Sequence, residues 1–563
     1  MKILLCYISH GASDAYHQYL LPAGLVTMHA VLQGAGHDSR LVNLSNCTAG
    51  EIRQLIRAER PELVGISQFT HNRFESLDLA AAVKQEIPSC IVVFGGPHAG
   101  HRYREVLQRY SMVDLVVIGE GEETFLEVAN TISGERDAFA EQLKTVPGIA
   151  FRDKGDIVLT KGRVPIRDLD VLPPADLEPE KALGIDLHQQ MEFIITSRGC
   201  PASCTFCASP HTWGKRLRFH SAAYIVDEIR RLRDRLGLIY FSIRDDTFTA
   251  DRKRVLELCQ RLLEENLYIM WNCQSRVNAV DDEMLAMMKR AGCECVQFGI
   301  ETGSERLLKL LNKSATREQM ISASSAVRHV GINLSIYLIS GIPGETNADI
   351  KDTENLIARL LPHDGQVSPL AYYPGTGLFR AAVRDGLISD DAFEMLRDAA
   401  LYAQPLAASR KATRRLISCL ELAGRNAAFT REDFLDQKRR LGYCHATNIV
   451  AGEWYAASGD YDRCEQEFIE IIRREPENPW GWLTFGEFCG SLGRVDEAIE
   501  AFRHLAGVVP AHAPAYAALG ELSKVRGRHR EAADYFRKAL SLNPYNDTAR
   551  RELAVLNKTR RRP

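Results

Sequence analysis

The chain has no apolar run long enough to cross a bilayer. Its opening, MKILLCYISH, breaks off too early for a secretory leader, so a cytoplasmic location is expected. It also has little net charge: 70 Lys and Arg stand against 73 Asp and Glu, a balance of -3, and no chain-wide basic field addresses nucleic acid. The tail KTRRRP is a small local exception. Fourteen cysteines scattered over 563 residues make no disulfide framework and fit a reducing compartment. Composition is otherwise that of a globular protein, and the length predicts three or four domains.

What the sequence does have is concentrated in TSRGCPASCTFCASP, residues 196–210, where Cys200, Cys204 and Cys207 stand in CxxxCxxC spacing. Gly199 and Pro201 keep the stretch irregular, so three sulfurs can turn inward, and Phe206 sets an aromatic wall beside the last of them. Three thiolates do not complete a four-ligand site. An iron-sulfur cluster usually takes four, so three imply a [4Fe-4S] cluster with one iron open to a ligand that is not protein. A structural zinc site is the alternative; it needs a fourth ligand, for which His211 is the nearest candidate. The spacing and its TSRGCP lead-in resemble the radical S-adenosylmethionine (SAM) enzymes. In that family the open iron chelates SAM, and one electron from the cluster cleaves it to a 5'-deoxyadenosyl radical.

Residues 1–150 alternate strands and helices: KILLCYI, a helix within 21–38, RLVNL, ELVGIS, CIVVFGG and DLVVIGEGEETF. This pitch predicts a parallel, doubly wound, Rossmann-like sheet with ligands at the carboxyl ends of its strands. Ser67 and Thr70, Gly95, Gly96 and His98, then Gly119, Gly121 and Glu122 fall at such ends. PAGL, GGPHA and GEGEETF together resemble the N-terminal cobalamin-binding domain of one large class of radical SAM enzymes, which implies cobalamin contacts at those eight positions. No DxHxxG motif offers a histidine to the lower face of cobalt. A vestigial domain that binds nothing is the alternative. Cys6, Cys47 and Cys90 read as core thiols; a second cluster of the tRNA methylthiotransferase kind would use them instead.

Residues 151–190 read as a proline-broken connector, and strand-helix alternation resumes over 191–385. The resemblance implies a partial (β/α)6 TIM barrel there, with SAM held at strand ends. Phe206, Asp245 and Asp246, Arg276, Glu301 in QFGIETG, and Gly341, Pro343 and Gly344 in GIPGE are its implied contacts. The physics agrees with the types: carboxylates suit an ammonium group, arginine suits a carboxylate, and glycine lets backbone approach adenine. PLAYYPGTGLFR resembles the closing motif of the core, with Tyr372 or Tyr373 facing substrate.

A helical, charged stretch over 386–445 leads to a repeat over 446–557. Gly452, Gly486 and Gly520 are 34 residues apart, as are Cys464, Ala498 and Ala532, and Phe468, Phe502 and Phe536. This is the tetratricopeptide pattern, closed by a capping helix. Such repeats bind peptides or proteins, or serve as a structural appendage.

The combined resemblance implies a cobalamin-dependent radical SAM enzyme of the magnesium-protoporphyrin ester cyclase and carbon-methylating branches, reduced by a flavodoxin or ferredoxin. As a methyltransferase it would abstract hydrogen from an unactivated carbon and deliver a methyl group from methylcobalamin. In the cyclase-like alternative, abstraction leads to oxidation or ring closure. A tRNA methylthiotransferase-like enzyme and an adaptor with an inactive core are the remaining alternatives.

Overall fold

A computed structural model describes residues 1–9, 20–132, 139–175, 177–395, 401–404 and 406–559. Most of the basic tail lies outside the described residues.

The first sheet contains eight strands: β1 (Lys2–Tyr7), β2 (Asp38–Asn43), β3 (Leu63–Ser67), β4 (Ile91–Gly95), β5 (Leu115–Val117), β6 (Ile149–Asp153), β7 (Asp156–Leu159) and β8 (Ala182–Leu183). Their order is β7-β6-β5-β4-β3-β1-β2-β8, all running one way except β6, which is antiparallel to both β5 and β7. Helices cover both faces, which explains why β1 and β3 are almost wholly apolar and buried. The chain reverses its direction of sheet growth between β1 and β3, and a crevice opens at that switch point.

The stretch 151–190 is not a simple connector. Residues 149–159 form a hairpin that extends the first sheet, and β8 returns to its opposite edge beside β2. Lys154 (φ 51°) and Gly155 (φ 96°) make the tight turn, a pair of positive φ values that matches strand twist in two-residue hairpins.

The second sheet, β9 (Phe193–Ile194), β12 (Tyr240–Ile243), β13 (Met270–Ser275), β14 (Cys293–Glu301), β15 (Asn333–Ser340) and β16 (Asp364–Pro369), is all parallel, with its strands side by side in chain order. It is the partial barrel. A small antiparallel pair, β10 (Ser197–Arg198) and β11 (Arg218–Phe219), brackets the cysteine loop. The long helix Leu406–Ala427 packs along the open edge at β16. There Ser409 lies against Gly341, Thr413 hydrogen-bonds Ser340, and Gln404, just ahead of the helix, donates to the Ile342 carbonyl. The segment after residue 385 therefore completes the barrel.

Three helix pairs follow, from His445–Ala457 to His529–Leu542, with Asp547–Thr559 as the cap. Gly452, Gly486 and Gly520 each face a phenylalanine ring, Phe468, Phe502 and Phe536 respectively; a Cβ would overlap the ring at Gly452 and Gly520 and crowd it at Gly486. The repeats are docked on the base of the barrel, at the amino ends of its strands. Met270, Tyr240, Ala446, Ile449, Ile471 and Trp480 pack together, and His512 Nδ1 meets the Gly237 carbonyl at 2.8 Å. Lys289 is fully buried under this contact, with Nζ donating to the Ala446 carbonyl at 3.4 Å. Ending the chain at residue 445 uncovers this apolar base, and we expect the melting temperature to fall by at least about 5 °C in a thermal melt.

Candidate active site

The cysteine loop is fixed at both ends. Gly199 adopts φ 97°, and a Cβ there would overlap the Arg216 carbonyl oxygen, so only glycine fits the turn into the loop. Downstream, Thr205 N donates to the Leu311 carbonyl at 2.9 Å, Asn312 Nδ2 to the Ser203 carbonyl at 2.7 Å, and Leu378 N to the Thr205 carbonyl at 2.8 Å. The backbone is committed to neighbours while the thiols of Cys200, Cys204 and Cys207 form no disulfide. Among the described residues no three His, Cys, Asp or Glu side chains converge on one ion. A cubane spreads its thiolates over separate irons, and three thiolates on one irregular loop fit that arrangement with one iron left open. His211 packs edge-on against His101, with 5.9 Å between ring centroids.

Asp245 requires a correction. Its side chain is 0% exposed, and its oxygens accept from Thr196 N (2.6 Å), Thr196 Oγ1 (2.6 Å), Ser197 N (3.0 Å) and Ser197 Oγ (2.7 Å), with Arg254 at 3.5 Å. No ammonium of a ligand can reach it. It ties the lead-in of the cysteine loop to the end of β12. Asp246, next in the chain, is only partly buried and accepts from Ser209 Oγ at 2.7 Å; burial raises its carboxyl above the usual range.

The other SAM candidates sit at the carboxyl ends of adjacent strands: Arg276 after β13, Glu301 at the end of β14, and Gly341, Pro343 and Gly344 after β15. Glu301 is the notable one. It adopts φ 66° at a register shift in β14 and accepts from Lys313 Nζ at 2.7 Å. A β-bulge re-aims a side chain, and a left-handed glutamate is a strain usually found at functional sites. Gly341 (φ 71°) donates to Glu345 Oε2 at 2.7 Å, and burial pushes the Glu345 carboxyl up to about 7.

A cavity of about 780 Å³ joins the two sheets. Ser67, Thr70, Gly95, Gly96, Gly119, Gly121 and Glu122 line one side, while Phe206, Cys207, Trp213 and Tyr373 line the other. At Gly96 (φ 94°) a Cβ would overlap the Gln68 backbone, and Gly119 (φ 84°) has nothing within 4 Å of where a Cβ would stand. Bare backbone thus faces the cavity at two strand ends, a cradle suited to a large planar cofactor. Tyr373 is on the wall, whereas Tyr372 is in the core at 3% exposure. Tyr7, whose hydroxyl lies 2.9 Å from His71 Nε2, and Phe69, stacked on His71, were not singled out by sequence and also face the cavity. Cys6 and Cys90 lie instead in the apolar core, where burial pushes their thiols up to about 12; Cys47 packs at its margin.

Two cobalamin candidates are corrected. His98 is 4% exposed and does not line the cavity; its Nδ1 meets Thr70 Oγ1 at 3.1 Å and its ring abuts Phe393. It belongs to a clamp in which Arg73 donates to the Phe393 carbonyl (2.8 Å) and Arg102 grips Glu394 through two nitrogens (2.9 and 3.0 Å), fastening the barrel's last segment to the first domain. Burial, then the charges of Arg73 and Arg102, and then His101 and His71, lower the His98 pKa to about 3. With the folded pKa below the unfolded value, the unfolded chain binds the extra proton. Stability is therefore full above about pH 6.5 and lost as pH falls toward 3, by up to about 1.4 kcal/mol per pH unit. His98→Gln should flatten that slope in denaturant melts between pH 4 and 7.

Glu122 lies on the wall, but its carboxylate is committed: Arg198 Nη2 donates to Oε1 at 2.6 Å. It braces the two domains with that oxygen.

Family comparisons agree with this geometry. Residues 194–357 match the radical SAM superfamily, 12–129 the B12 binding domain and 513–546 a tetratricopeptide repeat. An uncharacterized methyltransferase of Pyrococcus horikoshii is 30% identical over 377 residues, 65% of this chain and 79% of that one. The anaerobic magnesium-protoporphyrin IX monomethyl ester cyclase of Rubrivivax gelatinosus is 26% identical over 64% of this chain and 66% of its own length. In fold, the chain resembles the radical SAM methyltransferase TsrM from Kitasatospora setae (TM-score 0.59, 19% identity, 68% of this chain and 76% of that one) and the cobalamin-dependent enzyme OxsB (TM-score 0.54, 15%, 99% and 83%). No helix among the described residues is long and apolar enough to cross a membrane. The chain belongs to the cobalamin-dependent radical SAM enzymes, with a B12-binding domain ahead of the radical core and tetratricopeptide repeats behind it.

Proposed function

We propose that this enzyme methylates an unactivated carbon of a substrate held between the first domain and the barrel. The observation that carries the reading is the single cavity of about 780 Å³ whose walls include both the glycine strand ends of the first domain and Phe206 and Cys207 of the cysteine loop. Both reactive centres would then lie within reach of one bound molecule. Cys200, Cys204 and Cys207 would hold the cluster. Phe206, Asp246, Arg276, Glu301, Gly341, Pro343 and Gly344 would hold SAM, and Ser67, Thr70, Gly95, Gly96, Gly119 and Gly121 the corrin. When bound, these groups supply the electron, the radical and the methyl group. The chain's own residues orient the partners and exclude water: Trp213, Phe193 and Phe69 make an apolar wall, and Tyr373 stands at the cavity edge, 44% exposed.

A second reading, radical oxidation or ring closure without methyl transfer, is favoured by the likeness to the ester cyclases. A flavodoxin or ferredoxin serves as electron donor. The repeats brace the barrel base, and any protein partner docks on the faces this contact leaves open.

The test begins with iron and cobalt per chain, on protein purified without oxygen from cells supplied with cobalamin. About four irons and one cobalt are expected. Iron without cobalt would make the first domain vestigial, and about eight irons would restore Cys6, Cys47 and Cys90 as ligands. Cells with and without the gene, fed methyl-deuterated methionine, then separate the two reactions. A gene-dependent product carrying the trideuteromethyl group supports methylation, and an unlabelled, dehydrogenated product supports cyclisation.

A further inference from the structure

Four charges are buried where the first domain meets the cysteine loop. Arg198 and Arg218 are register partners across the pair β10–β11. Arg198 donates to Glu122 at 2.6 Å, Arg218 pairs with Glu120 at 2.5 Å, and Arg198 Nη1 stands 3.8 Å from Glu120. None of the four side chains is more than 6% exposed. Trp213 covers the group, with its ring 4.9 Å from the Arg198 guanidinium carbon. Glu120 Oε2 also accepts from Ile166 N at 2.9 Å, and Arg218 donates to the carbonyls of Ile166 (2.7 Å) and Trp213 (2.9 Å). Arg198 Nη1 and Glu120 Oε1 make no hydrogen bond and are held in the group by charge alone; charges so deeply buried are costly to separate, so the arrangement tolerates little displacement of one side without the other.

Each end of this network touches a cofactor surface. The glutamates belong to the turn 119–122, whose Gly119 and Gly121 line the cavity on the first-domain side. Arg198 is two residues before Cys200, and residues 196 and 197 are held by Asp245, the neighbour of Asp246. We propose that the Glu120, Glu122, Arg198 and Arg218 network is a positioning device that links the two cofactor sites, so that a corrin seated on the turn fixes the cysteine loop in the geometry that binds SAM. The inference rests on the cofactor assignments above. By linkage, the effect is reciprocal: each ligand tightens the other by the same factor.

The experiment measures SAM affinity by anaerobic calorimetry on full-length protein with its cluster reconstituted, with and without hydroxocobalamin. Iron and cobalt are counted in every sample. In the wild type, hydroxocobalamin should tighten SAM binding by at least about 5-fold, the low end of measured couplings. Arg198→Gln should reduce this factor to near one, and Arg198→Lys, which keeps the charge, should retain part of it. Because Arg198→Gln leaves Glu122 buried without a cation, the double variant Arg198→Gln, Glu122→Gln removes both charges of that pair, keeps the Arg218–Glu120 pair and folds without that penalty; it too should lose the coupling. Full coupling in either neutralised variant, with both cofactors loaded, overturns the proposal. Cobalt uptake by the wild type with no change in SAM affinity overturns the linkage alone. Failure of the wild type to take up cobalt overturns the cofactor reading and the linkage with it.

Discussion

Cys204→Ala is expected to leave a folded chain that makes no 5'-deoxyadenosine from SAM under reducing conditions, a fall of more than about 10³-fold or roughly 4 kcal/mol in barrier terms. The fold should survive because Cys204 is only partly buried and its loop is held by others: Thr205 by Leu310 and Leu311, Ser203 by Asn312. The donor set should not survive, because three thiolates are what leaves a single iron open, and two cannot hold three corners of the cluster. Iron content, circular dichroism and SAM cleavage measured on one preparation separate the outcomes. Normal cleavage by the alanine variant would sink the enzymatic reading.

Asp245→Ala has the second largest expected effect, on stability. Four hydrogen bonds from Thr196 and Ser197 end on this carboxylate, and Arg254, at 7% exposure, loses its nearest counter-charge when it is removed. Burial already depresses the Arg254 pKa while Asp245 opposes that shift. Breaking a buried pair from one side costs about 3–5 kcal/mol. The melting temperature should fall by roughly 10 °C, and the cysteine loop should lose iron because its lead-in is no longer fixed. Asp245→Asn keeps the shape and should recover part of the stability. If Asp245 instead met SAM directly, the asparagine variant would weaken SAM binding and leave the melt unchanged, which is the outcome that reverses this assignment.

Local spacing was sufficient for the elements. The cysteine triplet, the glycine turns at strand ends and the 34-residue repeat are covalent patterns, and each maps onto a feature of the fold: an irregular loop, a bare strand end, a glycine beneath a phenylalanine ring. The hairpin at 149–159 was legible too, in its alternation and its Lys154-Gly155 turn, but the prolines that follow drew the stretch into a connector. Charged and aromatic residues were read less well. Asp245 and His98 stand at strand or helix ends but face protein partners, and Glu122 lines the cavity with one carboxylate oxygen taken by Arg198. Glu120 is legible as a strand-end residue of the GEGEETF turn, but nothing near Arg198 or Arg218 in sequence reveals either as its partner.

The sequence by itself therefore determined the kind of enzyme: three thiolates in cluster spacing, the strand-end motifs in order, a nucleotide-type first domain and a terminal solenoid. Only the tertiary structure decided which polar residues face a ligand, which tyrosine of the pair meets the cavity, and that the repeats are seated on the barrel base. The reason is physical. Periodicity and spacing act within a few residues along the chain, but a buried charge is defined by whatever neutralises it, and here that partner is far away: 76 residues separate Arg198 from Glu122, and 49 separate Asp245 from Thr196.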